Sequence, residues 1–238
     1  MDIIRSKLNL NDFVNNDWFG YIVSIFNSEK VSSIWKPNGV NVEENENTGN
    51  KNARFYINDN VYIEMKYTSS SFILDFYIHG YKKNIINVTN TSYYLNCIII
   101  YRQGNCIAFN IQYGSTTLSA YTLTTTILLD SINGDSNNIV AIIPGSSNYF
   151  LCSNYPNITT SSYWYYSSNS TATINTIQLV PFVLGKIDAQ FDTIYGVCIS
   201  PIMNRFVMFN NEKWLLTCNG IAIPCGDEIN YYYVDQVE

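Results

Sequence analysis

The single histidine, His79, sits in YIHGY, four residues after Asp75 on the same alternating face. Four residues along a strand span roughly 13 Å, too far for a hydrogen bond. No G-x-S-x-G elbow supplies a nucleophile for it, so His79 reads as a strand histidine before a turn glycine. Carboxylates offer two pairs, since glycoside hydrolysis needs two acids brought together in space. Glu64 and Asp75 fall in neighbouring expected strands, and Asp188 and Asp192 lie four apart in GKIDAQFD. Nothing local separates either pair from ordinary surface acids. The loop LLDSINGDSNN carries Asp130, Asn133 and Asp135 but departs from the calcium-loop spacing, and a plain Asn133-Gly134 turn accounts for it. Six cysteines (Cys97, Cys106, Cys152, Cys198, Cys218, Cys225) include no C-x-x-C pair. They are expected as reduced, buried small hydrophobes. No catalytic residue, cofactor site or metal site is expected, and the chain reads as non-enzymatic.

The densest binding chemistry is aromatic. In SSYWYYSSNSTAT, Tyr163, Trp164, Tyr165 and Tyr166 stand together among Ser, Thr and Asn. Alternation along a strand places Tyr163 and Tyr165 on one face and Trp164 and Tyr166 on the other. Aromatics on both faces suit a strand between two layers, with one face on its own core and the other on a neighbour. Two other readings stay open, an ordinary core strand and a platform for a glycan.

Composition narrows the partners. Only 13% of residues are charged, about half the usual share. Twenty tyrosines fill much of that place, burying a ring while the hydroxyl stays wet. Net charge is −6 with pI near 4.7, and 13 basic residues form no cluster, which argues against nucleic acid. The opening MDIIRSKLNLNDF has no signal-peptide apolar region. No run approaches the roughly 20 apolar residues of a membrane helix. Synthesis in the cytosol without membrane insertion is expected, and the four Asn-x-Ser/Thr sequons (Asn87, Asn90, Asn157, Asn169) carry no meaning there.

The elements that would position these groups are strands. After a polar stretch at 36–52, KPNGVNVEENENTGNKN, read as a linker, strand signals recur every 8 to 12 residues. They cover 53–58, 61–67, 71–79, 92–102, 105–113, 122–129, 137–143 and 148–152. Within 71–79, Phe72, Leu74, Phe76 and Ile78 share one face. Upstream, GYIVSIF (20–26) reads as strand-like, and the first fifteen residues as a short helix or extended arm. Near the end, Asn210-Asn211 and Asn219-Gly220 punctuate a three-stranded meander over 205–225. A two-residue Asn219-Gly220 turn pairs Cys218 with Ile221, Leu216 with Ile223 and Trp214 with Cys225 on one core face. Pro224 then marks an edge strand. The expected fold is an all-β antiparallel sandwich or barrel-like domain over 53–238, with a docking arm and linker over 1–52. A division into two subdomains near 155–175 is left open.

This plan resembles virion structural proteins of tailed phages and prophages: accessory tail, baseplate and head-associated subunits. The resemblance covers the overall plan and the last sixty or so residues, where FDTIYGV (191–197) leads into RFVMFNNEKWLLTCNG. It carries no diagnostic motif and transfers no functional residue. It implies a structural subunit of a virion, assembled in the bacterial host cytoplasm, whose partners are other virion proteins and copies of itself, held together by burial of Tyr-rich surfaces between subunits. The alternative is a glycan- or receptor-binding sandwich that uses the same four aromatics against a host surface glycan.

Overall fold

The computed structural model describes residues 1–11, 13, 15–32, 40–78, 80–89, 92–115, 122–132, 134–143, 149–152, 179–184, 189–197, 205–209, 211–216 and 221–234. The fold is all-β, of antiparallel sheets in a sandwich-like class. Two compact units interleave along the chain. The first gathers Ile4–Ile99, Asn110–Thr125 and Tyr231–Glu238; the second gathers Met1–Ile3, Ile100–Phe109 and Thr126–Asn230.

The first unit opens with β1 (Asp2–Asn11), then α1 (Trp18–Asn27) and α2 (Glu29–Ser32). A five-stranded antiparallel sheet follows, in sequential order β2 (Val40–Asn45), β3 (Asn50–Asn58), β4 (Val61–Tyr67), β5 (Phe72–Ile78) and β6 (Tyr81–Val88). Its inner face is apolar. Ala53, Phe55, Val61, Ile63, Met65, Phe72, Leu74, Phe76 and Ile78 are all completely buried, each large side chain contributing about 1.5–3 kcal/mol. Helix α1 packs there, with Phe26 stacked on Phe55 at 4.1 Å and Trp18 edge-on to Phe72 at 5.4 Å.

Two expectations are corrected in this unit, and the choice left open for the first fifteen residues falls to the extended form. The segment 20–26 is helical. Its buried residues Trp18, Phe19, Ile22, Ile25 and Phe26 follow the 3.6-residue period once Trp18 and Phe19 are included. Asp17 caps the helix by accepting the Gly20 N–H at 3.1 Å. Within the expected linker 36–52, the described residues 40–52 are not a linker, because β2 and β3 pair from Val40↔Phe55 to Asn45↔Asn50. The Asn45 side chain accepts the Asn47 and Thr48 N–H groups, and Gly49 takes φ 66°. Every residue from Asn41 to Asn50 is exposed, so no alternation of burial was available to mark the strands. The first residues form β1, with Ile3, Ile4, Leu8 and Leu10 buried. Strand β6 is an addition that the sequence reading did not include.

Four strands run on from these. β7 (Tyr93–Gln103), β8 (Cys106–Ser115), β9 (Thr122–Ile132) and β17 (Asn230–Tyr233) follow with β1 in the hydrogen-bonded order β9-β8-β7-β1-β17. The Asn230 N–H donates to Met1 O and the Val234 N–H to Arg5 O. Both chains climb together, so β17 runs parallel to β1.

In the second unit, β9 pairs with β10 (Asp135–Ile143), which pairs with β11 (Tyr149–Cys152). β12 (Leu179–Leu184) lies on β13 (Ala189–Val197). The meander is present as β14 (Arg205–Phe209), β15 (Glu212–Leu216) and β16 (Ile221–Pro224), with Phe209 paired to Glu212 and Asn211 at φ 63° between them. Its last register differs by one residue from expectation. Leu216 faces Ala222, Leu215 faces Ile223 and Trp214 faces Pro224. A one-residue slip exchanges faces, and here both faces are covered: Leu215 and Ile223 on one, Trp214 and Ala222 on the other. Apolarity alone therefore could not choose the register. Nor is β16 an edge, for it lies between β15 and β13. Pro224 is tolerated because β13 pairs only with Ile221 and Ala222.

Candidate functional site

The five-stranded sheet turns its second face outward, and cross-strand register orders that face into rows. The first row runs Tyr56↔Tyr62↔Tyr77↔Lys82 across β3, β4, β5 and β6. The second runs Arg54↔Glu64↔Asp75↔Asn84, and a third starts on β2 as Glu43↔Asn52↔Lys66. Two bulges produce this alignment. One residue of β3 is absorbed between Tyr56 and Asn58, and one of β6 between Asn84 and Ile86.

At the centre are two acids with almost no exposure, Glu64 at 3% and Asp75 at 1%. Burying a carboxylate demands a counter-charge, and each has one. Glu64 Oε1 accepts from Arg54 Nε at 2.9 Å, while Oε2 takes Lys66 Nζ at 2.6 Å and the Tyr77 hydroxyl at 3.1 Å. Asp75 takes Lys82 Nζ at 3.2 Å and the Asn84 amide at 2.8 Å. Burial pushes the Glu64 carboxyl upward, but the hydrogen bonds from Lys66 and Arg54 outweigh it and hold the group below its ordinary value. Burial, then the bond to Glu64, pushes the Tyr77 phenol up to about 12. The Arg54 guanidinium is raised further still by its bond to Glu64.

The tyrosines form a stack above this layer. Tyr62 and Tyr77 lie face to face at 4.7 Å and 9°, and Tyr56 tilts against Tyr62 at 5.2 Å. Arg54 sits 5.8 Å from the Tyr62 ring. The cations outlie the acids: side-chain exposure is 38%, 44% and 51% for Arg54, Lys66 and Lys82, against 4% and 2% for Glu64 and Asp75. With Glu43, which faces Asn52 from β2, three positive and three negative charges leave this face neutral, on a chain of net −6.

The arrangement does not support acid–base chemistry. A general acid must hold a proton near working pH, whereas Glu64 is kept ionised and both its oxygens are occupied. An outward layer of stacked phenols and half-exposed cations is what these residues make.

A second acidic cluster lies in the other unit. Asp130 is completely buried. Its Oδ1 accepts the Ser131 N–H at 3.0 Å, and its Oδ2 accepts those of Thr193 and Ile194 at 2.9 and 3.0 Å. Asp192 accepts the Ser131 hydroxyl at 2.6 Å and the Gly134 N–H at 2.8 Å. Strands β9 and β13 share a single ladder pair, Phe191↔Ile132, so these carboxylates extend the joint where backbone pairing stops. Burial pushes the Asp130 carboxyl up to about 6, against the pull of the Thr193 and Ile194 N–H groups.

Of the residues singled out by sequence, Glu64 and Asp75 are brought together as direct cross-strand partners. Asp192 is joined to Asp130 through Ser131 rather than to Asp188, which lies outside the described residues. Tyr163, Trp164, Tyr165, Tyr166, His79, Asn133, Cys198 and Cys218 also lie outside them. Cys97, Cys106 and Cys225 are buried free thiols, and burial, then the nearby Asp130 charge, pushes Cys106 well up. Among the described residues no cluster of His, Cys, Asp or Glu could hold a metal ion, and no helix is long and apolar enough to cross a membrane. The sequence reading passed over Arg54, Lys66, Lys82 and the three stacked tyrosines. A signal was available. Phe55 and Val61 both belong to the apolar face, yet a strict two-residue turn at Asp59-Asn60 puts them out of phase. Only a bulge restores the phase. No family model, curated protein or solved structure matches this chain.

Proposed function

We propose that this chain is a non-enzymatic structural subunit of a tailed-phage virion or phage-like particle, acting through tyrosine-rich sheet faces that meet neighbouring subunits. The phage class comes from the resemblance in overall plan and in the C-terminal third. The contact role is carried by one observation: on the outer face of β3–β6 the buried acids are already neutralised beneath a stacked tyrosine row. Covering such a face leaves no carboxylate without a counter-charge, and phenol rings are favoured at interface cores. A glycan platform needs free ring faces. Here Tyr62 and Tyr77 turn theirs on each other, which favours protein contact over sugar stacking on this sheet.

Quantitative mass spectrometry of particles purified from the source culture tests the proposal. A fixed ratio to the major shell and tail proteins across a density gradient is expected. Absence from every particle fraction overturns it.

A further inference from the structure

We propose that the seam between β9 and β13 is a pH-operated latch: acid closes it, and neutral pH lets β12–β16 part from β9 while keeping their own ladders. Backbone pairing leaves room for this. Within the second unit, β9 and β13 share one ladder pair, Phe191↔Ile132. β13 is instead laddered to β12 from Leu179↔Val197 to Leu184↔Ala189, and to β16 at Tyr195 and Gly196. β16 continues into β15 and β14. These five strands therefore hold together through pairs that do not involve β9.

Two carboxylates reach across the seam from opposite sides. Asp130, on β9, accepts the Thr193 and Ile194 N–H groups of β13. Asp192, on β13, accepts the Ser131 hydroxyl of β9 and the Gly134 N–H beyond it. Ser131 serves both acids, because its own N–H goes to Asp130 Oδ1. Among the described residues no cation pairs with either acid. The titratable groups facing Asp130 are Asp192 on β13 and the Cys106 thiol on β8. β10, paired to β9 through Val140↔Asp130, has Asp135 as its one titratable residue, and β12 and β16 have no charged residue. Asp130 is completely buried, so charging it beside Asp192 is costly while the seam is closed. Parting the strands lets water reach it.

Burial raises the Asp130 carboxyl to about 6 in the closed seam, against an ordinary value of 3.8. Closure is therefore strongest below about pH 3.8 and weakens as pH rises to about 6, where the effect levels off. The difference between those two values sets its full size at roughly 150-fold in the opening equilibrium.

Residue-resolved amide hydrogen exchange on the full chain, from pH 4 to pH 7 with and without low urea, tests the latch. Protection factors remove the intrinsic pH dependence of exchange. The Gly134, Thr193 and Ile194 N–H groups are expected to lose about 50-fold protection over that range. Their exchange should depend little on urea, because a local opening exposes little surface. Asp130→Asn keeps the shape without the titration and should hold the change within about threefold. Seam amides with the same protection and urea dependence as the β14–β15 ladder would be freed only by global unfolding, which overturns the latch. Flat or rising protection in wild type overturns it too, as does an unchanged fall in Asp130→Asn. If that variant fails to fold, carbon-13 titration of the Asp130 carboxyl in wild type decides. A midpoint near pH 6 supports the latch, and one at about 4 or below overturns it.

Discussion

Glu64 in the first unit and Asp130 in the second are equally hidden, at 3% and 0% exposure, yet their acidities move in opposite directions. Glu64 sits under two cations and a phenol hydroxyl and is held low. Asp130 meets no cation, only N–H dipoles and the Thr193 side chain, with another acid, Asp192, nearby, and burial pushes it up to about 6. Burial is common to both, so it does not set the outcome; the sign of the neighbouring charge does. An outward sheet face can recruit long Lys and Arg side chains whose heads stay wet. At the inner joint between β9 and β13 the carboxylate instead replaces missing ladder partners.

The largest effect should come from breaking the inner site. Asp130→Ala leaves the Ser131, Thr193 and Ile194 N–H groups without their acceptor, and a loss of about 3 kcal/mol at pH 5 is expected in urea denaturation. Because the folded-state value is raised, the stability from this group is full below about pH 3.8 and is lost as pH rises through about 6. The cost of the substitution should therefore shrink between pH 5 and pH 7.5. A cost that grows over that range would show that Asp130 is held ionised by its N–H donors.

Glu64→Gln should behave as the mirror image. Its loss, about 2 kcal/mol at pH 7, comes from leaving Arg54 and Lys66 without a partner acid. Since the folded-state value is depressed, that contribution is present above about pH 4.5 and lost as pH falls through the lowered value. The two difference curves should cross. Parallel curves would remove the distinction between the sites.

The smallest effect is expected at Lys66→Met. Lys66 is 44% exposed and Glu64 keeps Arg54, so Tm should correspond to a loss within about 0.5 kcal/mol. A loss above about 2 kcal/mol would mean that Lys66, not Arg54, carries the neutralisation.

What was legible in the sequence follows the same division between covered and uncovered surface. The alternation of Phe72, Leu74, Phe76 and Ile78 was readable because one face of β5 is covered, and the Asn210-Asn211 turn because Asn211 tolerates φ 63°. Strand β2 was hidden since neither of its faces is buried, and the β15–β16 register since both of theirs are. Helix α1 was lost when the window began at Gly20 and left out Trp18 and Phe19. Of the outer face of β3–β6, Glu64 and Asp75 were visible as neighbours, but their meeting with Arg54, Lys82 and Asn84 depends on two bulges. A bulge adds a residue without adding a distinctive side chain, which is why spacing alone could not assemble the rows.

The parallel seating of β17 on β1 has a consequence for how the chain is made. Asn230 Nδ2 reaches Asp2 across 228 positions, so one flank of β1 stays open until nearly all of those residues have left the ribosome. At usual rates of synthesis that wait is roughly 10–50 s, with Ile3, Ile4, Leu8 and Leu10 among the side chains that burial on both sides must eventually cover. Until β17 docks, that flank is an unpaired strand edge of the kind a holding chaperone can recognise.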